Sequence, residues 1–209
     1  MSKYDIIGDI HGHYDELISL ILKLGYTKTD EFMYVHPEGR ILIFVGDLID
    51  RGDKIRETLQ LVRTLVENGL AHCIKGNHEY NAINFWTHNH DGGYYRKHTH
   101  KNIIQHYKTI DAFKNRESEW KDYLKWMDTL PVMLEMDNFR VVHASFHPFM
   151  LNLMDQFKEL YSEPFKQNAM MTEVGRGGTD WKIGSLEVST IIEETLKGIE
   201  VPLPDGVFF

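Results

Sequence analysis

The apolar positions fall into short runs separated by amphipathic stretches. Tyr4 to Gly8 is a brief apolar run ending in Gly-Asp, the pattern of a strand. Tyr14 to Leu24 places Leu17, Ile18, Leu20, Ile21 and Leu24 at helical spacing, and Gly25 follows as the expected C-terminal cap. Ile41 to Val45 is continuously apolar and too short for a helix, which predicts a strand covered on both faces. Ile55 to Glu67 reads as a second amphipathic helix, stopped by Asn68-Gly69, and Leu70 to Lys75 as a third strand. Strand, helix, strand, helix, strand is the order of βαβ units, so an α/β fold with a parallel or mixed sheet is expected.

The pattern changes after residue 80. Asn81 to Thr99 is aromatic and His-rich and contains Gly92-Gly93, which predicts a long loop or short helices. Ile103–Tyr107 and Ser118–Asp128 read as helical, with Trp120, Tyr123 and Trp126 as core residues. Val132–Met136, the turn Asp137-Asn138 and Phe139–His143 predict a hairpin. Phe149–Leu160 and Ser185–Lys197 are helix candidates, and Gly175–Gly178 is a flexible break.

Composition adds three constraints. The 209 residues are 42% hydrophobic and 26% charged, which is globular composition with room for a real core. One cysteine, Cys73, excludes an intramolecular disulfide framework and fits a reducing, cytoplasmic setting. The net charge of −8 disfavours a nucleic-acid surface, and no long apolar run predicts a membrane span. The 12 histidines all lie at or before His147. Histidine is the commonest metal ligand, so the chemistry is expected in that part of the chain.

Each of the first three strands ends alike. The first gives Gly8-Asp9-Ile10-His11-Gly12, the second Gly46-Asp47-Leu48-Ile49-Asp50-Arg51-Gly52, and the third Gly76-Asn77-His78-Glu79. Ligands of open α/β sheets bind outside the carboxyl ends of strands, so these residues should converge. Asp9 and His11 are two apart and in extended geometry would point to one side. Carboxylate, imidazole and amide oxygen without thiolate suit Mn²⁺, Fe or Zn²⁺. Two such ions would clamp the attacking and leaving oxygens of an in-line displacement and supply hydroxide at neutral pH.

Gly-Asp-x-x-Asp-Arg-Gly arises by chance about once in a million start points or more rarely. Together the three motifs resemble the calcineurin-like metallophosphoesterases, in particular phosphoprotein phosphatases and their bacterial and phage relatives. Val141-Val142-His143-Ala144 resembles that family's fourth metal motif, with Leu130-Pro131 before it. A run through Leu196, Lys197, Gly198, Glu200, Pro202, Leu203 and Pro204 resembles bacterial members. The resemblance implies a two-sheet mixed β sandwich flanked by helices. It implies a metallophosphoesterase core over 1–147 with a helical insertion at about 80–129, and 148–209 as a helical extension of the same domain. It assigns Asp9, His11 and Asp47 to one metal and Asp47, Asn77 and His143 to a second, with Asp47 bridging. His78 would be the general acid, oriented by Asp50, and Arg51 would grip phosphate oxygens.

The implied function is hydrolysis of phosphomonoesters, as in phosphoprotein phosphatases, with two divalent ions, Mn²⁺ foremost. Dinucleoside polyphosphate (diadenosine tetraphosphate) hydrolysis is the alternative within the class. Two features depart from the family: Ser145 follows His143-Ala144, and no Gly-His motif follows His147. The reading therefore expects the chain to stop before that motif, with the sandwich unclosed and activity reduced. From another class, a truncated, non-catalytic metal-binding protein is the competing expectation. The non-functional readings are a structural ion pair for Asp50–Arg51, scattered loop positions for His88, His90, His98 and His100, and a hinge loop at Gly175–Gly178, against which Arg176 as a second phosphate contact is the functional alternative.

Overall fold

The computed structural model describes residues 3–161, 163–176, 182–183 and 186–198. The first half follows the expected order. Strand β1 (Tyr4–Ile7) leads to helix α1 (Tyr14–Lys23); a hairpin of β2 (Thr27–Asp30) and β3 (Met33–Val35) follows; then come β4 (Ile41–Phe44), α2 (Ile55–Glu67) and β5 (Ala71–Cys73). The sheet order is β1-β4-β5, and both pairings are parallel. The β2–β3 hairpin was not expected, because all four β2 residues are exposed and show no buried alternation.

Alternation in the buried strands sorts the core into layers. Leu42, Phe44, Ala71 and Cys73 face the helices and pack with Leu17 and Ile21 of α1 and Leu59, Val62 and Leu65 of α2. Ile43 and Ile74 face the other way, against Val141 and Leu134. Those two come from the hairpin β6 (Met133–Glu135) and β7 (Arg140–Val142), which forms as expected around Asp137-Asn138. The Lys75 N–H donates to the Pro131 carbonyl at 2.7 Å and ties this second layer to the sheet. The architecture is thus mixed α/β, with β layers back to back and helices outside.

The middle is more helical than the sequence suggests. Helix α3 (Asn77–Trp86) starts inside the third motif, read as a strand end, and runs into the segment expected as a long loop or short helices. Gly76 is its N-cap, and the Glu79 carboxylate reaches back to the Gly76 N–H at 3.0 Å, a capping interaction that starts the helix early. Helix α4 (His100–Ala112) exceeds the expected Ile103–Tyr107, because the Thr99 hydroxyl caps its N-terminus through the Asn102 N–H. Helix α5 (Glu117–Asp128) buries Trp120, Tyr123 and Trp126, as expected. Helix α6 (Met150–Leu160), helix α7 (Pro164–Gly175), a short pair β8 (Lys182–Ile183) and β9 (Leu186–Glu187), and helix α8 (Val188–Lys197) complete the described residues. Helix α7 has a weak apolar pattern and was not expected; Pro164 opens it. Its partners with α6 and α8 form a second core around Tyr80, Leu153, Phe157, Val174, Ile191 and Ile192. Gly177, Gly178, Ser185, Glu200, Pro202, Leu203 and Pro204, on which sequence expectations rested, lie outside the described residues.

Candidate active site

The first two strand-end loops are zipped together by their backbones, and the third joins them through the Glu79 and Asp47 side chains. The N–H groups of Ile10 and His11 both donate to the Asp47 carbonyl, at 3.0 and 2.8 Å, and Gly52 N–H donates to the His11 carbonyl at 2.7 Å. This closeness requires glycine. A Cβ on Gly46, which has φ +92°, would overlap the Gly76 backbone, and one on Gly52 would stand 2.6 Å from the His11 oxygen. The loops also hold strained backbone. Among the described residues five non-glycines have positive φ, and four are His11, Asp47, Asp50 and Arg51. Such conformations cost about 1–3 kcal/mol each and persist only where surrounding bonds enforce them.

His11 is therefore not extended, contrary to the spacing argument, yet its Nε2 still approaches Asp9 Oδ2 at 3.9 Å and Asp47 Oδ2 at 3.6 Å. His11 Nδ1 lies 2.7 Å from the Ile49 carbonyl. A carbonyl only accepts, so Nδ1 carries the proton and Nε2 presents a lone pair. Burial pushes the ring's pKa down, which keeps it neutral. Nε2 is one of three buried side-chain polar atoms without a hydrogen-bond partner among the described residues.

His143 repeats this arrangement. Its Nδ1 lies 2.7 Å from the Val45 carbonyl, and its Nε2 faces Asn77 Oδ1 at 3.0 Å and Asp47 Oδ1 at 3.6 Å. The Asn77 oxygen thus meets only acceptors; a turned amide would donate to Asp47 and His143, and a cation would satisfy the present orientation. Asp9, Asp47 and His143 bring ligand atoms within 4.8 Å of one another, as do His11, Asp47 and His78. Asp47 is common to both groups. Its carboxyl is pushed up by burial, against the pull of His78 and His143. These oxygen and nitrogen donors fit divalent cations.

His78 Nδ1 lies 2.5 Å from Asp50 Oδ2. Burial opposes a charged ring, but the bonded Asp50 and nearby Asp47 outweigh it and raise the His78 pKa. Asp50 is buried, which works to raise its pKa; hydrogen bonds from His106, His78 and Thr109 prevail and hold it far below the usual carboxylate range. His106 Nδ1 lies 2.8 Å from Asp50 Oδ1, and the Trp86 indole N–H donates to His106 Nε2 at 3.1 Å, which fixes that tautomer. Sequence reading missed His106 because it lies outside every motif; its only signal was a histidine on the buried side of a helix. It also missed Glu79, whose carboxylate accepts the N–H groups of Asp47, Leu48 and Gly76 at 2.7, 2.8 and 3.0 Å.

Arg51 is exposed and makes no hydrogen bond or ion pair with a described residue, so the Asp50–Arg51 ion pair is absent there. His147 sits 3.4 Å from Glu194 on α8 rather than among the ligands. Arg176 is engaged by Asn84 Oδ1 at 2.7 Å and lies over Tyr95. His88 and His98 stack on Tyr94, and neither joins a ligand cluster among the described residues.

A parallel sheet with zipped acid- and imidazole-bearing strand ends is the arrangement of a metal-dependent phosphoesterase. The chain belongs to the calcineurin-like phosphoesterase family, which it matches over residues 2–186. It is 35% identical to bis(5'-nucleosyl)-tetraphosphatase PrpE (asymmetrical) of Geobacillus sp. (strain WCH70) over 144 residues, 68% of this chain and 56% of that protein. To the protein of the same name from Bacillus subtilis (strain 168) it is 52% identical over 75 residues, 36% of this chain and 30% of that one. The chain thus spans about half the length of the former relative. A mutant cold-active protein tyrosine phosphatase shares the fold, with a TM-score of 0.55 at 17% identity, over 93% of this chain and 62% of that one. No helix among the described residues is long and apolar enough to cross a membrane.

Proposed function

We propose that the chain is a metal-dependent hydrolase of dinucleoside polyphosphates, acting in the cytoplasm on a tetraphosphate bridge. The carrying observation is that Asp47 is shared by two clusters of ligand atoms, one with His11 and His78 and one with Asp9 and His143, with Asn77 Oδ1 3.0 Å from His143 Nε2 and the His11 Nε2 lone pair unpartnered. Two curated relatives named as bis(5'-nucleosyl)-tetraphosphatases support this substrate over the phosphomonoesters expected first. Residues 1–147 are proposed as the catalytic core, with the helices between residues 80 and 129 shaping the substrate site.

In this reading Asp9, His11 and Asp47 hold one divalent ion and Asp47, Asn77 and His143 a second, with Mn²⁺ the preferred metal. When bound, such ions neutralise phosphate charge and lower the pKa of water for attack. The chain's own groups do the rest. Arg51 orients phosphoryl oxygens through a guanidinium that no described residue pairs. Water gives up a proton to bulk solvent, its oxygen forms the new bond to phosphorus, and the P–O bond to the leaving phosphate breaks. His78, charged through Asp50, hands its Nε2 proton to that leaving oxygen. His106 and Thr109 keep Asp50 ionised and aimed at His78.

The test is nucleotide release from diadenosine tetraphosphate with added Mn²⁺, beside a phosphoserine peptide and p-nitrophenyl phosphate. The expected result is metal-dependent cleavage with the highest kcat/KM on the tetraphosphate, lost in Asp47→Asn. Full activity in Asp47→Asn, or preference for the phosphopeptide, overturns it.

A further inference from the structure

Among the described residues Arg40, Arg56, Arg63, Arg116 and Arg140 each meet a carboxylate. Arg96 does not. Its Nη1 donates to Asn81 Oδ1 at 2.8 Å and its Nη2 to Gln105 Oε1 at 2.9 Å, both neutral amides. Its backbone N–H is anchored to the Asn84 carbonyl at 3.0 Å. Two of the five guanidinium N–H groups are thus used, and the side chain is fixed between α3 and α4.

Arg96 lines a small, mostly polar pocket whose other walls include Asn81, Asn102 and Gln105 as well as His78, Asn77 and Asp50. Asp50 makes no hydrogen bond or ion pair with it, since both carboxylate oxygens are taken by His78, His106 and Thr109; its charge acts on Arg96 only through space, and burial outweighs it. The guanidinium is half-buried, and that burial disfavours its charge. A fixed, partly desolvated cation held by neutral dipoles has unused capacity for an anion with several acceptor oxygens. The pocket opens beside His78, the group proposed to protonate the leaving oxygen. An anion there is part of the leaving group.

We propose that this pocket is the leaving-group subsite, in which Arg96 binds the phosphates beyond the scissile bond and so selects polyphosphate over simple monoester substrates. This deepens the function proposed above and rests on its placing of His78. Arg96 acts on specificity; it belongs to none of the strand-end motifs.

Arg96→Gln and Arg96→Lys are compared with the unaltered chain on diadenosine tetraphosphate and p-nitrophenyl phosphate with Mn²⁺. Loss of a charge-assisted hydrogen bond corresponds to about ten-fold or more in affinity. Arg96→Gln is expected to lower the ratio of the two kcat/KM values by about that factor, mainly through KM, with partial recovery in Arg96→Lys. Equal losses on both substrates, or an unchanged ratio, overturn the proposal. A second measurement needs no turnover: calorimetric titration of the metal-free protein with inorganic tripolyphosphate in chelator. Arg96→Gln should weaken binding about ten-fold at an unchanged melting temperature; unaltered binding refutes the subsite. Tripolyphosphate binding that depends on Arg96 without tetraphosphate cleavage would sink the proposed substrate and keep the subsite. Tetraphosphate cleavage with an unchanged ratio would do the reverse.

Discussion

The buried Glu79 carboxylate accepts the backbone N–H of Asp47 at 2.7 Å, so the residue shared by both ligand groups is held by a side chain that belongs to neither. The same carboxylate accepts from Leu48 and Gly76, which fastens the second strand end to the start of α3. Burial and neighbouring Asp47 push its pKa up, while the backbone donors pull it down. Glu79→Gln would turn an amide N–H toward a backbone donor. Removing one partner of a buried hydrogen bond costs about 1–3 kcal/mol, more for a charged group. The expected outcome is a lower urea midpoint and weaker metal uptake, read by denaturation and calorimetry. Wild-type values in Glu79→Gln would show that Glu79 does not position Asp47.

A chain of polar contacts runs from Trp86 through His106 and Asp50 to His78. If Asp50 holds His78 in its charged form, Asp50→Asn should lower kcat about 10²–10⁴-fold, the usual range for a lost general acid. KM should move far less. Phenyl phosphate, with a poorer leaving group than p-nitrophenyl phosphate, should suffer more. Equal losses on both esters would point to damaged structure instead of lost proton transfer. His106→Gln should show the same leaving-group dependence, more weakly.

How far these groups were legible in the sequence follows from distance along the chain. Asp9, His11, Asp47, Asp50, Asn77 and His78 lie in short glycine-bearing motifs that follow β1, β4 and β5, so the motif pattern exposed them although the boundary with α3 was not readable. Glu79 was in view beside His78, but its three backbone partners depend on how the loops cross. His106 and Arg96 lie in a segment whose apolar positions are sparse, so neither the length of α4 nor its docking over Asp50 could be read. The β2–β3 hairpin escaped for the same reason: exposed strands carry no burial pattern.

Arg40 pairs in forked fashion with Asp5, and the Tyr26 hydroxyl donates to the same carboxylate at 3.0 Å. The Arg40 hydrogen bond, then burial opposing it and Tyr26 assisting, leaves the Asp5 pKa below its ordinary value. A carboxyl depressed on folding stabilises the folded state above its unfolded pKa, about 3.9, and that stability is lost as pH falls through the folded pKa. Asp50 adds to the same acid-side loss. Asp5→Asn should therefore be less stable than wild type at pH 7, by about 1–2 kcal/mol for a charge-assisted pair. The gap in urea midpoints should narrow as pH falls below about 4. A gap constant from pH 7 to pH 3 contradicts this linkage.

Asp9 separates metal binding from folding, because its side chain is 54% exposed while Asp47 and His11 are buried. An exposed carboxylate can lose its charge with little effect on the metal-free fold. A ligand that binds only the folded state stabilises it by about 2.7 kcal/mol at a hundred times its dissociation constant. For a chain of this size that corresponds to a rise of about 5–10 °C in melting temperature. The unaltered protein is expected to show such a rise with Mn²⁺, reversed by chelator. Asp9→Asn should melt with wild type in chelator yet gain less from Mn²⁺. Asp47→Asn should differ, since it replaces a buried carboxylate, which accepts the His78 N–H at 2.9 Å and faces three histidines, by a neutral amide with one acceptor oxygen, and so changes the metal-free melt as well. If Asp9→Asn gained as much from Mn²⁺ as the unaltered chain, Asp9 would not be a ligand. The first strand end would then contribute His11 alone.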